Sequence, residues 1–141
     1  MEKLIYPACF YPCEDKKGGY TVVVPDLPGC VTEGRSIEEA IEMANDAASG
    51  WILDELEDNN AIPKASDIKD IVPDSPDGFV NLLVLDMDAY AEKNGNKAIR
   101  KNLTIPAWLN TFAENNNINF SKVLQDALLD MFKKKQEANG L

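Results

Sequence analysis

Apolar, β-branched and aromatic residues crowd Leu4 to Tyr11 and Tyr20 to Val24, and Lys16-Lys17-Gly18-Gly19 between them supplies turn chemistry. A β-hairpin is predicted. Pro25-Asp26-Leu27-Pro28-Gly29 is a second break, and Cys30-Val31-Thr32 then reads as a third short strand that ends at Glu33-Gly34-Arg35, completing a meander. The period then changes. Ser36-Ile37-Glu38-Glu39 has the form of a capping box, in which the Ser36 hydroxyl and the Glu39 carboxylate satisfy unpaired N–H groups at a helix start. Ile37, Ala40, Ile41, Ala44, Ala47, Ala48, Trp51 and Ile52 follow with helical spacing, and the stripe fades at Leu56-Glu57-Asp58-Asn59-Asn60. Its alanines suit close packing on a sheet.

Ile62 to Gly78, with Pro63, Pro73, Pro76 and several aspartates, is predicted to be a connecting loop. Phe79-Val80-Asn81-Leu82-Leu83-Val84-Leu85 is so apolar that a central strand, buried on both faces, is expected. The order is β-β-β-α-β. Asp86 to Lys93 continues irregularly or as a short helical turn, and Asn94-Gly95-Asn96 reads as a joint.

Beyond the joint, Lys97 to Ile105 alternates polar and apolar for most of its length until Pro106 stops it, which predicts one short strand. Arg100, Asn102 and Thr104 lie on one face and Leu103 and Ile105 on the other, with Lys101 standing where a core-side apolar residue is expected. Pro106 suits the first turn of a helix carrying Trp108, Leu109, Phe112 and Ala113, which Asn115-Asn116-Asn117 ends. Asn119 is the expected N-cap of a second helix, with Val123, Leu124, Ala127, Leu128, Met131 and Phe132 as its apolar stripe and Lys133-Lys134-Lys135 at its carboxy end.

A strand and two helices in about forty residues cannot enclose an adequate core, and a lone strand has no ladder partner. Dimerisation is therefore expected. Two copies of the strand make a two-stranded antiparallel ribbon, narrow enough for the major groove, where alternate side chains reach base edges. Arg100 suits guanine O6 and N7, Asn102 suits adenine N6 and N7, and Thr104 suits either base or a thymine methyl. The amino end of the second helix, around Phe120, Ser121 and Lys122, offers N–H groups and positive dipole to a phosphate. The sequence order is that of a ribbon-helix-helix module. The alternative is a dimerisation module whose strand face meets water.

Charge sharpens the division. The chain carries −10, but residues 1–96 hold 20 acidic and 7 basic side chains, net −13, while residues 97–141 hold 4 acidic and 7 basic, net +3. The carboxy-terminal part alone can face phosphate, because at contact distance only the local field matters. No apolar run reaches the roughly 20 residues that span a bilayer, and the start lacks a signal-peptide stretch, so a cytoplasmic address and no membrane contact are expected. Cys9, Cys13 and Cys30, with no histidine in the chain, read as reduced structural thiols; Cys9 and Cys13 lack the spacing of a zinc pair. No cofactor and no metal are expected.

The phrase Val24-Pro25-Asp26-Leu27-Pro28-Gly29-Cys30-Val31-Thr32-Glu33-Gly34 leading into Ser36-Ile37-Glu38-Glu39-Ala40, within the β-β-β-α-β order, resembles the HicB family, antitoxins of HicA-HicB toxin-antitoxin pairs. The resemblance extends over roughly residues 3 to 135. It implies an α+β chain: a degraded, cut-down ribonuclease H-like domain over 1–92 that binds and masks a toxin, a linker at 93–97, and a ribbon-helix-helix dimerisation and DNA-binding domain over 98–141. The implied partners are a cognate HicA-like ribonuclease that cleaves messenger RNA and a palindromic operator, with the chain a homodimer and its association into a tetramer left open. Asp26 and Glu33 are the candidates for toxin contact.

Ribonuclease H-type nucleases hold two metal ions with carboxylates aimed from strands into one site. The strands predicted at Leu4–Tyr11, Tyr20–Val24 and Phe79–Val84 carry no acid, so only Asp26, Glu33 and Asp86, at strand ends, are available, and no catalytic residue is assigned. A net −13 domain does suit binding to a basic ribonuclease, although the same acids would also serve a merely solvating surface. Two further readings remain: a stand-alone transcriptional regulator whose amino-terminal domain binds a ligand or oligomerises, and a metal-dependent nuclease.

Overall fold

In the computed structural model, which describes residues 3–139, the chain divides after Ala98 into two compact units. The first contains β1 (Leu4–Pro12), β2 (Tyr20–Val23), β3 (Val31–Gly34), α1 (Ile37–Glu57), β4 (Phe79–Leu85) and α2 (Met87–Asn94). The predicted β-β-β-α-β order is therefore present, with α2 as an added two-turn helix where an irregular stretch or a short turn was expected. Its N-cap explains it: Ala89 N–H donates to Asp86 Oδ1 at 3.1 Å.

The sheet is antiparallel throughout, in the order β3-β2-β1-β4. One expectation fails here, because β4 is an edge strand, not a central one. The meander β1-β2-β3 grows away from one side of β1, and β4 takes the other side as the last strand. Its side chains then alternate: Leu83 and Leu85 are buried, whereas Leu82 and Val84 are exposed by 42% and 51%. Apolar density along β4 thus reports one face in the core and one open face, which the sequence alone cannot distinguish from two buried faces.

α1 lies against the sheet through Ala40, Ala44 and Ala48, all fully buried, and Ile52. Small side chains bring the helix axis close, and the larger groups of Phe10, Val22, Leu83, Leu85 and Tyr6 fill the space between. Both ends of α1 are stopped by local chemistry. Glu39 N–H donates to Ser36 Oγ at 3.1 Å, and Glu39 Oε1 reaches back to Arg35 N–H at 3.4 Å. At the carboxy end Asn59 adopts φ +57°, with Asn59 N–H on Leu56 O and Asn60 N–H on Glu55 O, the left-handed stop that asparagine tolerates.

The second unit holds α3 (Ala107–Asn115) and α4 (Phe120–Asn139). α3 ends like α1: Asn117 has φ +53°, and Ile118 N–H donates to Ala113 O at 3.0 Å. Asn119 caps α4, accepting from Lys122 N–H at 3.0 Å, as the sequence predicts. The expected strand at Lys97–Ile105 is not formed in the single chain, where residues 95–106 carry no regular structure. A strand exists only by pairing, and the described residues of this unit offer it no second strand. Among the described residues of this unit Ala113 alone is buried, at 7% exposure, while Trp108, Phe112, Leu128 and Met131 lie open.

Candidate functional site

The three acids at strand ends have separate employments. Asp26, in the β2–β3 turn, accepts from Ser66 N–H at 2.8 Å (Oδ2) and from the Ser66 hydroxyl at 2.6 Å (Oδ1). Glu33, exposed on β3, lies 3.5 Å from Lys16 Nζ. Asp86 caps α2 and lines a shallow open cleft with Asn45, Asp46, Ser49, Tyr90 and Lys93, a set that includes neither Asp26 nor Glu33. The geometry does not gather them into one site, and among the described residues no group of three or more Cys, Asp or Glu is placed to hold a metal ion.

Asp26 is chiefly an anchor for the long segment between α1 and β4. That segment is pinned at three places: Tyr6 hydroxyl donates to Pro63 O, Asp26 holds Ser66, and Asp74 N–H donates to Tyr11 hydroxyl at 3.0 Å. Burial, with the Asp26 carboxylate adding to it, holds the Tyr6 hydroxyl above its ordinary pKa, so it stays a donor at neutral pH. Replacing Asp26 with Ala leaves Ser66 N–H without its acceptor. The expected cost is about 1–3 kcal/mol, with faster proteolytic cleavage within residues 61–78, measured by limited digestion against the wild-type chain. Sequence spacing missed this pair because its members are 40 residues apart.

Cys9 and Cys30 are buried and Cys13 is half-buried, and all three are free thiols. Burial pushes the Cys30 thiol up, as expected of a structural and not a reactive cysteine.

In the second unit Arg100, Asn102 and Thr104 are exposed on the stretch before α3, as are their neighbours Ile99 and Leu103. Exposed apolar residues of α3 and α4 accompany them. Phe120 opens α4 at 46% exposure, and Ser121 and Lys122 follow in its first turn, both exposed. The Lys122 ammonium lies 2.9 Å from Asp126, one helical turn on, an i,i+4 spacing legible in the sequence. This exposed pair is weak. Lys97 Nζ meets Asp58 Oδ1 at 2.8 Å, and that bond raises its pKa. Lys101 is exposed, and nothing in the structure explains its place in the alternation. No helix among the described residues is long and apolar enough to cross a membrane.

Comparison with known proteins bears on most of the chain. Residues 6–136 match the family model described as HicB-like antitoxin of bacterial toxin-antitoxin system. An uncharacterised 14.9 kDa protein of Haemophilus phage HP1 is 34% identical over 108 residues, 75% of this chain and 76% of that one. Antitoxin HicB 1 of Photorhabdus laumondii is 41% identical over 63 residues, 45% of this chain and 39% of that protein. Among solved structures, a toxin-antitoxin complex from Streptococcus pneumoniae aligns with 92% of this chain and 99% of its own, at a TM-score of 0.58 and 28% identity. The Burkholderia pseudomallei antitoxin HicB shares the fold at a TM-score of 0.53 and 21% identity, over 91% of this chain and 98% of that one.

Proposed function

Because the chain belongs to the HicB-like antitoxin family of bacterial toxin-antitoxin systems, we propose that its first unit binds and neutralises a HicA-like, mRNA-cleaving toxin while its second unit dimerises on operator DNA and represses the operon. The observation that carries the first half is the family match over residues 6–136, joined by the likeness to a chain from a solved toxin-antitoxin complex. Charge supports the same reading. A ribonuclease that holds RNA must present positive potential, and a net −13 over residues 1–96 both attracts such a partner and competes with its substrate. Glu33, exposed on β3, is the candidate contact; Asp26 acts through the segment it anchors.

What supports the second half is the combination of an unpaired stretch at 95–106 with two helices whose apolar side chains lie open. Two copies remove both deficits together. Their strands pair into a ribbon, and Leu103, Ile105, Phe112, Val123 and Leu128 become a shared core. The ribbon's other face then carries Arg100, Asn102 and Thr104 to base edges, while the amino end of α4, at Phe120, Ser121 and Lys122, meets a phosphate.

The test is a gel shift with the full chain on the DNA upstream of its gene. Arg100→Ala is expected to cost about 1–3 kcal/mol, and to relax preference at one base position, whereas Lys122→Ala weakens binding to all sequences alike. Affinity falls as salt rises, through counterion release. Unchanged specific binding by an Arg100→Ala, Asn102→Ala, Thr104→Ala triple variant would remove the ribbon from the reading.

A further inference from the structure

β4 has a second side that no strand occupies. Pro7 stands opposite Leu82 in the ladder and has no N–H, and Leu82 N–H donates to Asn81 Oδ1 at 2.9 Å instead of to β1. The Pro7–Leu82 pair therefore exchanges no ladder bonds. By the alternation of antiparallel sheets, the backbone groups of Val80, Leu82 and Val84 point away from β1. Among the described residues no strand pairs with that side, and the Asn81 amide stands in for one missing acceptor. Leu82 and Val84 are exposed by 42% and 51%, beside Ile5 at 50%, which faces Val84 across the ladder.

Exposed edges are usually protected by lysine, proline or a charge turned inward. Phe79–Leu85 has none of these, and it is a seven-residue stretch without charge inside a region of net −13. That contrast identifies the occupant. A basic partner would be held by acids along the strand, and between its flanking Asp77 and Asp86 β4 carries none. Two copies of so acidic a unit repel everywhere except through a neutral patch. We propose that β4 pairs antiparallel with β4 of a second copy, centred on Leu82, so that Leu82 faces its own counterpart and Val80 faces Val84 of the other chain. The two four-stranded sheets then become one continuous sheet of eight. Asp77 and Asp86 lie just beyond opposite ends of β4, and the antiparallel register brings Asp77 of each copy near Asp86 of the other, so this contact strengthens with salt, the opposite of a contact held by a basic protein.

The inference does not rest on the reading of the second unit, because cross-linking at β4 reports this contact alone. Opposed residues in a bonded antiparallel pair lie about 5.5 Å apart at Cα, within the range of a disulfide. In the full chain, Leu82→Cys is expected to form an intermolecular disulfide on mild oxidation, more completely in 1 M than in 0.05 M salt. A mixture of Val80→Cys and Val84→Cys chains should yield the heterodimer in preference to either homodimer. Leu82→Lys, an exposed change that leaves the circular dichroism intact, should halve the mass measured by light scattering. Leu82→Cys cross-linking no better than wild type, or a Leu82→Lys mass equal to wild type, overturns the proposal and leaves the edge to a strand of another protein.

Discussion

Gly34→Ala is expected to cost the first unit about 3 kcal/mol, the upper part of the range for overpacking a tight contact. A Cβ at Gly34 would lie 2.3 Å from Ala40 N, 2.6 Å from Ala40 Cα and 2.7 Å from Glu39 C. All three are backbone atoms in the first turns of α1, so no rotamer change relieves the clash. Either β3 leaves β2, to which Gly34 is paired through Tyr20, or α1 lifts from the sheet and uncovers Ala40 and Ala44. For a unit of this size the loss corresponds to a fall in Tm on the order of 15 °C. Gly29→Ala is the control. Gly29 has φ +81° with nothing within 4 Å of a built Cβ, so it carries only the left-handed penalty of about 1–2 kcal/mol. Equal melting temperatures for the two variants would mean that the start of α1 is not seated on β3.

Leu128→Glu is expected to abolish operator binding while leaving toxin neutralisation intact. In the single chain Leu128 is 55% exposed, so a glutamate there costs little. In the proposed pairing of the second units the same position would lie within the shared core, where an unpaired charge costs about 3–5 kcal/mol. That is a loss of a hundredfold or more in association, and the ribbon is lost with it. Leu128→Met, which keeps volume and polarity, should bind as wild type. Retained operator binding by Leu128→Glu would mean that the α4 stripe is not the dimer core.

Much of the architecture was legible because it is written locally. Ser36 and Glu39 mark the start of α1, Asn119 marks the start of α4, and asparagines at 59 and 117 stop the helices before them by entering the left-handed region. What was not legible depends on partners remote in sequence or on a second chain. The Asp26–Ser66 anchor joins positions that no periodicity relates. The tight seat of α1 at Gly34 looked like an ordinary strand end. The apolar Val80, Leu82 and Val84 predict a central strand, although Asn81 in its middle, a poor strand former, is the available sign of an edge. The strand expected at Lys97–Ile105 is in the sequence pattern and not in the single chain; in the proposed dimer its hydrogen bonds would belong to two molecules.

Under the proposed function, this chain silences a toxic ribonuclease. The most direct measurement is to purify the product of the adjacent reading frame, expected to be a small basic protein with a key histidine, and follow its cleavage of messenger RNA as this chain is added. Cleavage should stop at a fixed stoichiometry, the two proteins should elute together, and Leu128→Glu should do as well as wild type. Cleavage that continues undiminished, with the proteins eluting apart, contradicts the account.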